Sequence, residues 1–459
     1  MKKKLLLLAV GLSLYALPPH LLAQDTTGVR RLSLDDAVNF ALKNNASVKN
    51  AQIDVASANA RVGEIRGIGL PQVNAQAQII HNIEIQKVIL ENGEGPFGSP
   101  DLPVGAVLAF PFQLKNLGGV TLNASQLLFD ASYLLGLKAA KTYKELSTKS
   151  LTASKIDVTE AVTKAYYSVL VNSDRLELLN INVGRLDTIL RETRAMYENG
   201  FVEKIDLDRL EVQLNNLNTE RQKVERLFEL GDNLLKFQLG LPMNERIVLT
   251  DSISRNALDN FEAPVVGDFN YSQRIEYSLL ETQKRLAALN VRNGRAGYMP
   301  QLAAFGTFGY NPAASQFSNL FDFKERWFQY SLVGVQLNVP IFDGLQKHYK
   351  IQQSKLDLQK TEIGQDLLKN SIDLQIRQAV TTLTNALETL KSQQRNMDLA
   401  REVERVTRIK YQQGVGSNLE VVTAVSDYRE AETNYYTALY DAIIARVDYQ
   451  KATGTLGQP

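Results

Sequence analysis

No cysteine occurs among the 459 residues. That excludes disulfides, thiolate metal sites and a lipid-modified N-terminal cysteine. Histidine is nearly absent, with three in all. Beyond the leader only His81 and His348 remain, far apart and each expected in or near a strand, so no histidine cluster for metal or general-base chemistry can form. No Gly-x-Ser-x-Gly, His-Glu-x-x-His or phosphate-loop pattern is present, and no enzyme is expected. Charge of one sign is missing too: 51 Lys and Arg face 50 Asp and Glu. A nucleic-acid partner, which needs a basic face, is not expected. Long apolar runs are confined to the start. Lys2, Lys3 and Lys4 precede an apolar stretch from Leu5 to Leu17, and Ala23 is the expected last residue before cleavage. Residues 1–23 therefore read as a secretory signal peptide. After them no apolar run reaches the ~20 residues a membrane helix requires. A membrane crossing would have to be made by strands closed into a barrel.

Proline is absent between Pro111 and Pro242 and between Pro340 and Pro459. Proline breaks helix interiors, so these stretches are free to form very long helices. They are rich in Leu, Ala, Glu, Lys, Gln and Arg, as helices require. Leu207, Leu210, Leu214, Leu217, Val224 and Phe228 follow steps of three and four, with Arg221 the one polar member. So do Val421, Ala424, Tyr428, Ala431, Tyr435, Ala438, Ala442, Ala445 and Tyr449. This is a coiled-coil period. A helix from about Ala131 to Asn199 would be roughly 100 Å long, which implies a tube or rod.

The chain repeats itself. Leu70-Pro71-Gln72-Val73 recurs as Met299-Pro300-Gln301-Leu302, and Phe129-Asp130 as Phe342-Asp343. Tyr197-Glu198-Asn199-Gly200 recurs as Tyr411-Gln412-Gln413-Gly414, and Leu239-Gly240 is echoed by Thr453-Gly454. Two copies of one design are expected, 24–242 and 271–459, joined by 243–270, which holds Pro264 and Gly267. Gly63 to Gly69 reads as a helix-to-strand joint, and Asp35-Asp36 as a helix start after Ser33.

Each copy contains two segments alternating between polar and apolar residues: about 71–83 and 114–129, then 300–310 and 328–340. A Gly/Pro-rich loop, Gly93 to Pro111, separates the first two. Period two means a strand with unlike faces. These strands have the length of tilted transmembrane strands. Gln, Asn, Ser and Thr on one face suit a wet lumen, and the other face suits lipid. Phe129, Tyr310, Trp327, Phe328, Tyr330 and Phe342 lie where an interfacial aromatic girdle would. About four strands cannot close a barrel, which needs about eight or more, so several chains would have to share one.

The repeated order of Pro71 and Pro300, Phe129-Asp130 and Phe342-Asp343, and the Tyr-x-x-Gly turns at Tyr197 and Tyr411 resembles the TolC family of outer-membrane efflux proteins. The resemblance spans nearly the whole mature chain. It implies a mainly α fold with a transmembrane β-barrel: a homotrimer sharing twelve strands in outer-membrane lipid, above a long coiled-coil α-barrel reaching into the periplasm. A mixed belt would surround the middle. It implies a passive duct of a tripartite efflux or type I secretion system, with no cofactor, working with a periplasmic adaptor and an inner-membrane transporter. The hairpin tips, at Tyr197, Gly200, Tyr411 and Gly414, would touch the adaptor. Asp206 and Glu420, six residues past each turn glycine, become candidates for the pore aperture. Where some relatives carry a further acid and an arginine, this chain has Thr423 and Gly416. In a symmetric oligomer a single carboxylate becomes a ring that favours cations. The plainer alternative makes both acids solvated helix-start residues. A periplasmic coiled-coil scaffold or adaptor without a pore is the competing function, and an exported enzyme with helical insertions a third.

Overall fold

A computed structural model describes residues 29–93, 101, 103–111, 113–253, 269–323 and 327–457. The expected signal peptide lies outside them, as does much of the connecting segment. The order is β1 (Arg30–Leu32), α1 (Leu34–Asn44), α2 (Ala46–Ile68), β2 (Gln72–His81), β3 (Lys87–Glu91), β4 (Val107–Pro111), β5 (Asn116–Phe129), α3 (Ala131–Glu198) and α4 (Lys204–Leu239). Then come β6 (Ile247–Leu249), α5 (Ile275–Ala296), β7 (Gln301–Ala314), β8 (Trp327–Asn338), α6 (Gln346–Gln412) and α7 (Asn418–Ala452).

The repeated sequence marks turn out to be helix boundaries. Asp130 caps α3 by accepting from the backbone N–H groups of Ser132 and Tyr133. Its counterpart Asp343 stands further from its helix. Gly344 and Leu345, both left-handed (φ 66° and 67°), intervene before α6. Gly200, Gly240, Gly414 and Gly454 are all left-handed. Each lets the chain reverse while two N–H groups bond back onto the last helical turn, as in Phe201 N to Met196 O and Val415 N to Lys410 O. Only glycine adopts this conformation cheaply, so its recurrence in sequence is a recurrence of helix stops.

α3 has 68 residues and α6 has 67, each about 100 Å long at 1.5 Å per residue. Beside each long helix two short ones lie end to end: α2 and α4 along α3, α5 and α7 along α6. The joints are alike. Asn45 Nδ2 donates to Gln238 O at 2.7 Å, and Arg274 Nη1 donates to Ala452 O at 2.8 Å. In both cases the residue starting one short helix satisfies a carbonyl ending the other, which helix ends require. Around the first joint, Val48, Val162, Tyr166, Leu235 and Leu239 form a core with Leu32 of the parallel pair β1–β6. Tyr166 ties this belt to α3, donating to Asp251 Oδ2 at 2.8 Å. Nearer the tips, Leu207, Leu210, Leu217 and Val224 pack with Leu179, Leu186 and Leu190. Fully burying such a side chain contributes about 1.5–3 kcal/mol.

One four-stranded antiparallel sheet carries the order β2-β5-β7-β8. Its register sorts the faces. Val73 faces Ala124, Ala75 faces Leu122, Leu122 faces Phe308, and Ala304 faces Val335. On the opposite side Asn74 pairs with Asn123, Asn123 with Thr307, and Gln301 with Asn338. Thr307 Oγ1 donates to Asn123 Oδ1 at 2.8 Å there. On the apolar side Val333, Val335 and Leu337 are 90%, 63% and 62% exposed in the single chain.

Several expectations need correction. β7 runs to Ala314 rather than about 310, because its ladder with β5 continues through Ala314. Part of the expected loop from Gly93 to Pro111 is a strand: β4 pairs with β3 as a separate hairpin. Gly63 and Gly67 lie inside α2, and only Gly69 caps it. Each glycine costs about 1 kcal/mol against alanine, which burial of Ala58 and Val62 offsets. His348 is helical, in the first turn of α6, and Phe342 lies beyond the end of β8.

Candidate aperture and the charged layer above it

The two hairpin tips form where α3 turns into α4 and α6 into α7. Gly200 and Gly414 make the turns, with N–H bonds to the carbonyls of Tyr197 and Tyr411. Ser417 caps α7, accepting from Glu420 N at 3.3 Å. Glu203 occupies the same place before α4 without a side-chain cap. A side chain at Gly416 would bring its Cβ to 3.1 Å from Tyr411 N, so the tight turn favours glycine there.

The two acids are not equivalent. Glu420 sits exposed in the first turn of α7. Asp206, in the first turn of α4, is half-buried and lies 3.6 Å from Arg209 of its own helix. Burial and the Asp206 charge push the Tyr411 phenol up from its ordinary range. Asp206 thus lies close enough to the second hairpin for its charge to act on Tyr411. Tyr197 stays largely exposed. Sequence reasoning missed the neighbours of the turn glycines: Phe201 and Val415, each just past its glycine, are 80% and 77% exposed. The same apolar position past the turn glycine is thus exposed in both halves.

Sequence reasoning also missed a charged layer between the hairpins. Tyr428 is eight residues past Glu420, about 12 Å along the helix. Glu432 of α7 is buried and accepts from Asn182 Nδ2 of α3 at 3.0 Å and from the Tyr428 hydroxyl at 3.2 Å. Arg401 of α6 donates to that same hydroxyl at 3.2 Å. Glu404 is buried and ion-paired to Arg408, and Arg429 donates to Gln213 of α4 at 3.1 Å. Burial pushes the Glu432 carboxyl up, against the hydrogen bonds from Tyr428 and Asn182 and the charges of Arg401 and Arg185. Burial pushes the Arg408 guanidinium down, reinforced by Arg185. Buried polar groups specify register more than they add stability. This layer fixes α3 and α4 against α6 and α7. The signal was present in the second heptad stripe, whose Tyr428 sits where an apolar residue would be enough.

Among the described residues no helix is long and apolar enough to cross a membrane, and no group of three or more His, Cys, Asp or Glu side chains is placed to hold a metal ion.

The outer membrane efflux protein family matches residues 276–455. Outer membrane protein TolC of Vibrio cholerae is 20% identical over 337 residues, 73% of this chain and 76% of that protein. Outer membrane protein OprJ of Pseudomonas aeruginosa is 24% identical over 433 residues, 91% of this chain and 83% of that one. The alkaline protease secretion protein AprF of Pseudomonas aeruginosa is 20% identical over 338 residues, covering 73% and 68%. Among solved structures, CusC superposes with a TM-score of 0.72 at 15% identity, covering 92% of each chain. The open state of the Neisseria gonorrhoeae MtrE channel gives 0.71 at 17%, covering 92% and 89%. The fold is that of TolC-like channels, and the second half of the chain matches the outer membrane efflux protein family.

Proposed function

We propose that three copies of this chain close their sheets into one barrel in the outer membrane, and that the assembly is a passive duct for efflux or secretion. The supporting observation is the sheet. Its outer strands β2 and β8 each have one unpaired edge among the described strands, and open edges are intolerable in lipid. One face is apolar and exposed, the other lined by Gln, Asn and Thr. Two copies would supply eight strands, a barrel that side chains fill. Three supply twelve, the smallest such assembly with room for a water lumen. The long helices continue the tube by about 100 Å, a reach suited to the periplasm. A soluble scaffold has no use for the sheet's two unlike faces.

A periplasmic adaptor would bind the tips, where Phe201 and Val415 are exposed beside Tyr197, Gly200, Tyr411 and Gly414. An inner-membrane transporter would supply the energy. Three Glu420 carboxylates would form the aperture ring, with Asp206 holding the adjacent hairpin. The test is single-channel conductance of the purified oligomer in planar bilayers, wild type against Glu420→Ala. A small cation-selective conductance that grows or loses selectivity in the variant supports the aperture. Unchanged conductance moves the constriction elsewhere. A folded oligomer that never conducts, even with adaptor added, overturns the duct.

A further inference from the structure

The only tryptophan of the chain, Trp327, lines a cavity of about 360 Å³ at the end of the sheet remote from the helices. Its floor is the apolar face: Ala77 of β2, Val120 of β5 and Pro312 of β7. Its outer wall comes from the β7–β8 connection, which folds back across β5 and β7 as a 3-10 turn, Phe317–Phe321. Leu320 of that turn is buried, whereas Phe321 and Phe323 are 51% and 67% exposed. Phe323 lies against Trp327 with ring centres 4.8 Å apart.

Hydrogen bonds hold the cavity open. Trp327 Nε1 donates to Leu320 O at 2.9 Å, so the indole's polar edge is satisfied within the chain and its rings face the space. Asn116 Nδ2 donates to Ser315 O at 3.0 Å, and Asn116 Oδ1 lies 2.6 Å from His81 Nδ1. These bonds pin the start of the connection to the sheet. A space walled mainly by carbon rejects water.

We propose that this cavity takes one acyl chain of a membrane lipid from the leaflet remote from the helices. The inference rests on the membrane-spanning reading of the sheet. The cavity opens onto the face carrying Val333 and Val335, which that reading places in lipid. The strands leave the helices at Gln72, Phe129, Gln301 and Asn338, and the cavity lies at their opposite ends. A methylene chain fits a groove walled mainly by aliphatic and aromatic carbon, covers Phe321 and Phe323, and clamps the connection at a fixed depth.

Trp327 is its own reporter. The assembled protein would be reconstituted in vesicles of phosphatidylcholine brominated along the acyl chains, since bromine quenches an indole only near contact. Strong quenching in the wild type, mostly lost in Ala77→Leu, which fills the floor, is the expected result. Val120→Phe fills the same space from the next strand should Ala77→Leu fail to assemble. Equal quenching with and without the filling substitution overturns the proposal. So does a Trp327 that neither brominated lipid nor aqueous acrylamide reaches, which means that protein occupies the cavity. A second reporter, Trp327→Phe with Val333→Trp, separates the two readings. Quenching at 333 without cavity dependence at 327 removes the acyl site and leaves the barrel, whereas no quenching at 333 removes the barrel reading.

Discussion

Gly200, Gly240, Gly414 and Gly454 share one backbone conformation, with φ of 77°, 73°, 76° and 72°. Their surroundings differ. An added Cβ meets nothing within 4 Å at Gly200 and Gly414. At Gly240 it would lie 2.8 Å from Asn44 O, and at Gly454 2.6 Å from Gln273 O. Both obstacles are backbone carbonyls of the residue just before the N-cap of the abutting short helix, and backbone cannot swing aside. Alanine in a left-handed position costs about 1–2 kcal/mol. Gly200→Ala and Gly414→Ala should therefore lose about that much. At the joints the collision adds about 1–3 kcal/mol of overpacking, and the Asn45 and Arg274 bonds to the opposing helix must also shift. Gly240→Ala and Gly454→Ala are expected to lose about 2–5 kcal/mol. Hydrogen exchange of the last-turn amides of α4 and α7, with the urea midpoint of the detergent-solubilised protein, measures the difference. The tip variants should loosen only the tips, Gly240→Ala the belt around Tyr166, and Gly454→Ala the core of Ile372, Ile376 and Ala452 at the second joint. A Gly240→Ala protein no less stable than Gly200→Ala would refute the stacked-helix account.

Neighbouring residues of β8 test the two faces. Val335→Arg puts a charge on the apolar face, which costs about 2–4 kcal/mol in mid-bilayer, and should abolish heat-resistant oligomers on gels. Gln336→Arg, on the polar face, should leave assembly intact and alter ion selectivity. Tyr166→Phe removes the donor to Asp251 Oδ2 and should cost about 0.5–1.5 kcal/mol, seen as faster exchange of the β1–β6 amides. Glu432 has a pH signature. Burial raises its folded pKa above the ordinary value, so the folded state favours the neutral acid. The associated stability is complete below the unfolded pKa and is lost as pH rises through the folded one. Glu432→Gln should thus gain on the wild type at neutral pH, and the gap should close on acidification through the carboxylate range. Unfolding midpoints across that range decide it, and a gap that widens on acidification refutes the buried-acid reading.

Much of this protein is written locally. Proline-free stretches, heptad stripes and glycine turns marked the four long helices, and the Asp130 and Gly200 boundaries determined α3 almost to the residue, because helix stops depend on a few neighbouring backbone groups. Strict alternation likewise determined β2 and β5 and assigned their faces. What sequence distance hid was settled by packing. The pairing of β5 with β7 across the two repeats gives one sheet rather than two hairpins. The α2–α4 and α5–α7 joints depend on contacts between residues about 180–195 apart. Asp206 and Glu420 stand at the same offset from their turn glycines, yet one is half-buried beside Arg209 and the other exposed. The layer of Asn182, Glu404, Arg408 and Glu432 was marked in sequence only by Tyr428 of the second heptad stripe. Periodicity reports which side of a helix is apolar. Only the fold decides which charges on separate helices meet, because desolvation and hydrogen bonding act through space, not along the chain.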